Sequence, residues 1–385
     1  MRSSRLIFVC ACLGMLLFGI SLITLGSVAQ ALRGKFLLDD ITAGTLFSIL
    51  PIGILAGSLL FGPLCDRYGY KIIMLLSCLV LFAGFQGIAF ASSLNVLKGC
   101  IFLFGLGGGA INGATNAVVA DISEHNKGAN LSLLGVFFAI GALGMPSVLA
   151  LLGKKFSFDA IVSVIGYVPL VVALLCFLTR FPAPKQVKGN PFAQGVLLMK
   201  EGILITIGFY LFCVSSFEAI INNWTTTYLS QQLSVERSQA LYALSLYVVG
   251  MAVMRILLGS VFRNLSAQRI LLLSFFFMLA GCLLLRAPAS YGMAVAGLVS
   301  IGIGLASGFP VMLGMVGNLY AAASGTAFSI VLTIALVGNM LINFTMGVIA
   351  EKHGVGHLTT VAFVLLGAMV LLSIVILKKT KLQHV

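Results

Sequence analysis

Twelve apolar stretches, each near the length of a membrane-crossing helix, run through this chain between short polar or charged breaks. They fall at about 6–32, 42–63, 72–92, 98–121, 130–152 and 159–180, then at 201–229, 238–262, 270–287, 290–316, 323–350 and 357–378. Roughly 20 apolar residues suffice to cross the hydrocarbon core as a helix. The pattern therefore predicts an all-α membrane protein with 12 transmembrane helices. A longer polar interval, FPAPKQVKGNPFAQ, separates the first six from the last six. The expected division is an N-terminal six-helix bundle over 1–180, a cytoplasmic linker over 181–200 and a C-terminal six-helix bundle over 201–385. The opening MRSSRLIFVCACLGMLLFGI runs on past the apolar core of a signal peptide and reads as a retained first helix.

Composition agrees with this pattern. The 385 residues are 60% hydrophobic and 9% charged, whereas soluble domains carry about a quarter charged residues. Lipid must be the main solvent. The net charge of +13 is scattered over segment ends rather than gathered on one face with aromatics, so nucleic-acid binding is not expected. The short-loop lysines and arginines favour the side of the N-terminus, with Arg67, Lys71, Lys127, Lys185, Arg263 and Arg269 among them. By the positive-inside rule both termini are expected in the cytoplasm, in a plasma (bacterial inner) membrane. Eight cysteines lie mostly inside apolar segments without metal-ligand spacing, and the four histidines fall in loops or the tail. With no nucleophile–base pair, metal cluster or phosphate loop, neither an enzyme nor a cofactor or metal is expected.

The two halves repeat. GPLCDR begins at Gly62 after the second span, and GSVFRN begins 197 residues later, at Gly259, after the eighth. The same offset carries Gly105–Gly107 in span four onto Gly302–Gly304 in span ten, and Gly141 in span five onto Gly338 in span eleven. Two parallel six-helix repeats place a binding site near the midplane where they meet.

The loop GPLCDRYGYK joins spans two and three. Asp66 lies near a helix end, where a helix N-terminus or a base can hold it, and the glycines permit a tight turn. Gly62, Asp66, Arg67, Gly69 and Lys71 thus make a conformational latch, able to close in one bundle arrangement and open in another. This spacing closely resembles the loop of the major facilitator superfamily. The resemblance implies two pseudo-symmetric six-helix bundles and solute transport by alternating access. In the second copy Arg263 stands where Asp66 does, so that latch is degenerate.

Polar residues inside the spans supply the remaining candidates. Asn112 and Asn116 in span four are one turn apart and share a face. Asn112 lies nine residues from Asp121, about 13 Å along the helix and close to the midplane. Joining helices and touching a ligand are equally open to this pair. Span five carries Asn130 near its start, and its Pro146 lacks the glycines that flank the proline in drug antiporters of the superfamily. Span seven holds Glu218, 17 residues beyond Glu201, about 25 Å along the helix and in the outer half of the bilayer. Ser215, Glu218 and Asn222 form a stripe of the kind that faces a bundle interior or an aqueous cavity. Trp224 and Tyr228 follow, either as interfacial belt residues or as a platform for a sugar ring. Arg255 reads as a side chain snorkelling to the cytoplasmic surface or as a structural group beside the second-half latch. An anionic substrate would instead make it a site residue.

The grouping of Glu218, Trp224, Tyr228 and Leu229 resembles span seven of the fucose/glucose–galactose porter family. Where that family's proton-coupled fucose member carries an acid in span four, this chain has Asn112, which leaves Glu218 as the one acid well inside a span. The resemblance implies a secondary active transporter moving a small polar solute, a sugar, in symport with a proton or sodium. Glu218 would be the coupling residue, and Asn112, Asn116, Asn130, Glu218, Asn222 and Trp224 the substrate-binding set. Sodium, if it is the coupling ion, would draw on the oxygens of Glu218 and Asn222. The alternative is a proton-coupled exporter of drugs or other amphiphilic compounds. The expected partners are a small-molecule substrate and the lipid bilayer, with the chain acting as a monomer.

Overall fold

The computed structural model describes residues 2–38, 40–185, 191–286 and 288–382. Residues 186–190 of the expected linker lie outside the described residues. Five spans open the chain as single helices: α1 (Arg2–Phe36), α2 (Asp40–Tyr68), α3 (Tyr70–Phe90), α4 (Leu94–Ile122) and α5 (Lys127–Leu152). The sixth is split into α6 (Phe158–Ile165) and α7 (Val168–Leu178), and α8 (Pro191–Leu198) is a short helix of the linker. Then come α9 (Gly202–Leu233), α10 (Arg237–Gly259) and α11 (Ala267–Arg286). The tenth span is split into α12 (Tyr291–Leu305) and α13 (Gly308–Leu319), followed by α14 (Ser324–His353) and α15 (Leu358–Leu382). Among the described residues there are no strands, and twelve helical spans are long and apolar enough to cross a membrane. The chain is an all-α integral membrane protein.

The two split spans have one cause. Pro169 and Pro310 stand just beyond the breaks. A proline ring collides with the carbonyl four residues back and offers no N–H to it. Those carbonyls belong to Ile165 and Ala306, at the ends of α6 and α12. The apolar pattern continues through both breaks, so hydropathy alone merges each pair.

The chain divides into two compact units. The first comprises Met1–Glu124, Leu134–Val196 and Gly317–Ser329; the second comprises His125–Leu133, Leu197–Val316 and Ile330–Val385. Each thus takes in the opening of a span whose remainder belongs to the other, α14 in one case and α5 in the other. In the first unit α4 packs on α1, α2 and α3; in the second α12 packs on α10 and α11, and α9 on α10 and α15.

The internal repeat is visible as the same backbone contact made twice. A Cβ on Gly105 of α4 would fall 2.4 Å from the Leu50 carbonyl oxygen of α2. On Gly302 of α12 it would fall 2.3 Å from the Tyr247 carbonyl oxygen of α10. Leu50 and Tyr247, like Gly105 and Gly302, are 197 residues apart. These helix pairs approach so closely that any side chain at the glycine forces them apart. Gly105→Leu is therefore expected to destabilise the first unit by at least ~3 kcal/mol, the upper part of the usual range for overpacking. Fluorescence-detected size exclusion of the variant should show loss of the monodisperse peak; a wild-type profile and melting temperature would refute the contact.

Candidate functional site

Glu218 stands at the midpoint of α9, sixteen residues after Gly202 and fifteen before Leu233, ~24 Å from the helix start. Phe217, Ala219, Ile220 and Ile221 around it are buried, yet Glu218 itself is only half-buried. Its side chain therefore keeps accessible surface at a level where the helix around it is sealed. A carboxylate is expensive at such a depth and is normally matched by a partner or a functional need.

That partner comes from α10, which packs against α9 in the second unit. Arg255 is buried, at 8% exposure, and its charge acts on Glu218. Both charges also act on Tyr247, two turns before Arg255 on the same helix and fully buried. Arg255 thus does not snorkel to a membrane surface; it turns inward. Ser132 Oγ donates to the Arg255 carbonyl oxygen at 2.9 Å, tying the opening of α5 to this stretch of α10. The Tyr247 hydroxyl is buried without a hydrogen-bond partner among the described residues. An orphaned buried hydroxyl costs about 1–3 kcal/mol, so a ligand able to bond it would bind the more tightly.

The rest of the polar set is distributed over both units. Asn222 and Trp224 are half-buried on α9, and the Trp224 ring lies beside Gly347 of α14, 3.9 Å from where a Cβ would stand. Between them, Asn223 Nδ2 donates to Asn343 Oδ1 at 3.0 Å, and Asn343 Nδ2 donates to the Asn339 carbonyl at 2.8 Å. Asn223, Asn339 and Asn343 are not among the residues expected from the sequence. Their signal was the four-residue spacing of Asn339 and Asn343, the same as that of Asn112 and Asn116. Tyr228 faces the protein rather than its surface: it is buried, and its hydroxyl donates to the Leu285 carbonyl at 2.5 Å. In the first unit Asn116 is buried and spends its amide on the Asn112 carbonyl (2.8 Å), Asn112 Oδ1 (3.1 Å) and Met15 Sδ of α1 (3.7 Å). Two of these bonds stay within α4, and the third reaches a thioether on α1. Asn112 remains half-buried, and Asn130 lies in the second unit, half-buried, two residues before Ser132.

The loop between α2 and α3 has its own partners, all in the first unit. Asp66 is buried, at 1% exposure. Its Oδ1 accepts from the Gly325 N–H at 3.1 Å, and its Oδ2 accepts from the Thr326 N–H at 2.8 Å and the Thr326 hydroxyl at 2.7 Å. The carboxylate thus caps the opening turn of α14, where unsatisfied N–H groups and the helix dipole favour negative charge. Gly62 lets the backbones meet: a Cβ there would fall 2.3 Å from the Gly325 carbonyl oxygen. Gly69 has φ of +85°, a left-handed turn that favours glycine. Arg67 is exposed and lies over the Tyr68 ring, whereas Lys71 donates to the Phe177 carbonyl at 2.6 Å. A second carboxylate joins the cluster. Asp121, at the end of α4, accepts from the Tyr70 hydroxyl at 2.6 Å and from Ser324 Oγ at 2.7 Å. In the sequence Asp121 only marks the end of a span.

Comparison with known proteins agrees with this architecture. The family model described as Major Facilitator Superfamily matches residues 7–230 and 207–382. The chain is 22% identical over 339 residues to the uncharacterized transporter y4wD of Sinorhizobium fredii, covering 88% of this chain and 89% of that one. It is 27% identical over 338 residues to the 3-(3-hydroxy-phenyl)propionate transporter of Escherichia coli, covering 85% of this chain and 83% of that one. Among solved structures, the E. coli fucose:proton symporter FucP superposes with a TM-score of 0.80 at 16% identity, covering 97% of this chain and 99% of that one. At that identity the likeness speaks for the fold alone.

Proposed function

Because the chain belongs to the Major Facilitator Superfamily and is a secondary transporter, we propose that it moves a small organic anion by alternating access, together with a proton. The observation that carries this reading is the buried Arg255 beside Glu218 and Tyr247. A guanidinium is planar, stays charged, and binds carboxylates through two parallel hydrogen bonds. In the resting site its charge is balanced by Glu218. An incoming carboxylate takes over Arg255, and Glu218, released from its counter-charge, takes up a proton. Charge inside the site is conserved, so one anion and one proton cross together. The Tyr247 hydroxyl, buried without a partner, offers a further bond to the anion. The aromatic carboxylate carried by the E. coli relative supports the same substrate class.

The half-buried Asn222 and Trp224 join the proposed contacts within the second unit, and Glu218 remains the proposed coupling residue. We assign both termini to the cytoplasmic side of a plasma membrane on the distribution of loop bases, with 1–180 and 201–385 as the two repeats. A second reading, sugar uptake, is favoured by Trp224 next to the bonded Asn223–Asn343 pair, since an indole face and amides suit a pyranose.

Reconstitution into liposomes separates the two readings. Uptake of radiolabelled aromatic and short-chain carboxylates and of monosaccharides is measured with an inward pH gradient, with sodium, and with neither. The proposal expects carboxylates to accumulate on the pH gradient and to compete with one another, with hexoses ineffective. Accumulation of a hexose, with competition by its stereoisomers and none by carboxylates, would establish the sugar reading instead. Dependence on sodium alone would replace the proton as the coupling ion.

A further inference from the structure

One ammonium group gathers acceptors from three parts of the first unit. Lys185 Nζ lies 2.8 Å from Asp121 Oδ2 at the end of α4 and 3.7 Å from Asp66 Oδ1 of α2. It donates to the Ala321 carbonyl at 2.8 Å, and it also contacts Ser324 Oγ, the first residue of α14. An ammonium has three donors, and all three are engaged here. Lys185 belongs to the segment joining the sixth and seventh spans, and the sequence reading took it for a topology signal.

The backbone of that segment is docked as well. The Lys185 N–H donates to the Asp66 carbonyl at 3.1 Å. A Cβ on Gly69 would lie 3.2 Å from Pro184 Cγ, so the α2–α3 turn and the segment fit against each other. Further on, a Cβ on Gly195 of α8 would lie 3.4 Å from Thr326 Cγ2. The segment therefore meets the opening of α14 at Lys185 and again at α8.

Charge makes the arrangement consequential. Asp66 and Asp121 are two carboxylates in one cluster, and Lys185 is the base set between them. The latch's own bases point elsewhere: Arg67 lies over Tyr68, and Lys71 is turned to Phe177. Only the first residues of α14 belong to the first unit, while the helix continues in the second. Whatever holds that first turn therefore bears on the exchange of conformations that transport requires.

We propose that Lys185 is a positioning residue of the transport cycle: its ammonium bridges Asp66 and Asp121 and holds the first turn of α14 on α2 and α4. The segment between the two six-helix sets thereby sets how readily that turn is released. This is independent of which solute is carried.

The test needs no substrate. Amide hydrogen exchange is followed on the full chain in lipid nanodiscs, at Gly325 and Thr326, whose N–H groups Asp66 accepts. Lys185→Met should speed exchange at these two amides about tenfold, the signature of easier local opening, while exchange along α10 and the melting temperature stay as in wild type. Lys185→Arg keeps the charge and should return exchange to within about threefold of wild type. The pair Lys185→Met with Asp121→Asn removes one carboxylate together with the base and should recover likewise, which loss of packing alone would not do. In uptake assays with whichever solute the liposome experiment shows to be carried, Lys185→Met should change the maximal rate and leave KM within about twofold. Wild-type exchange in Lys185→Met overturns the proposal. So does a double variant as fast as the single one, or a rise in exchange spread evenly over the chain.

Discussion

Replacing Glu218 by glutamine is expected to abolish concentrative uptake while the protein is still made and inserted. Glutamine keeps the shape of the side chain at the middle of α9 but can neither balance Arg255 nor carry a proton. Leaving the buried charge of Arg255 without the carboxylate that acts on it costs on the order of 3 kcal/mol. Three kcal/mol exceeds a hundredfold in an equilibrium. In the variant, Arg255 should hold a carboxylate substrate persistently, so binding tightens while release and proton coupling fail. Two measurements check this together. Accumulation driven by a pH gradient should fall by about a hundredfold or more, and the thermal stabilisation given by the carboxylate should exceed that of wild type. Undiminished accumulation would remove Glu218 from the mechanism; lost accumulation without tighter binding would separate Glu218 from Arg255.

Asp66→Ala should give the second large effect, on conformation rather than on binding. The substitution leaves the Gly325 and Thr326 N–H groups and the Thr326 hydroxyl without the acceptor that all three now share. Hydrogen bonds to a charged group are each worth about 1.5–3 kcal/mol net. Loss of the three should shift the balance away from the conformation described here by at least ~3 kcal/mol, again above a hundredfold. Spin labels on the two compact units, read by electron–electron resonance, should show a changed distribution of distances without substrate. Asp66→Asn keeps one oxygen acceptor and should fall between. A distribution identical to wild type in Asp66→Ala would mean that this carboxylate holds no switch.

The turn from Gly62 to Lys71 was the most legible local feature, because its residues lie within ten positions and their turn chemistry is local. Its partners were not legible. Thr326 and Lys185 lie far along the chain from Asp66, and Ser324 reads as an ordinary polar residue at a span boundary. Arg255 illustrates the same limit from the other side. About one turn from the end of α10, an arginine can reach the surface or turn inward, and sequence distance to the end is the same in both cases. Its burial and its pull on Glu218 depend on how α9 and α10 meet. Tyr228 was drawn toward the interfacial reading by its position near a span end, yet the Leu285 carbonyl of α11 claims its hydroxyl.

From the sequence by itself came the span count, the linker, the 197-residue repeat and the resemblance to the Major Facilitator Superfamily. These rest on hydropathy and spacing, which are properties of the chain read locally or against itself. A bilayer admits so few backbone solutions that long apolar runs leave little but helices. Only the tertiary structure decided which polar side chains act on one another: Arg255 on Glu218 and Tyr247, Asp66 on the start of α14, and Lys185 on Asp66 and Asp121. The reason is physical. Contacts between helices depend on their rotation and depth, set by packing at positions such as Gly105 and Gly302, and residues far apart in the chain contribute to each. The two broken spans belong to the same class, since a proline inside a membrane helix is tolerated or not according to its neighbours: α2 runs straight through Pro51 and Pro63, while the sixth and tenth spans break.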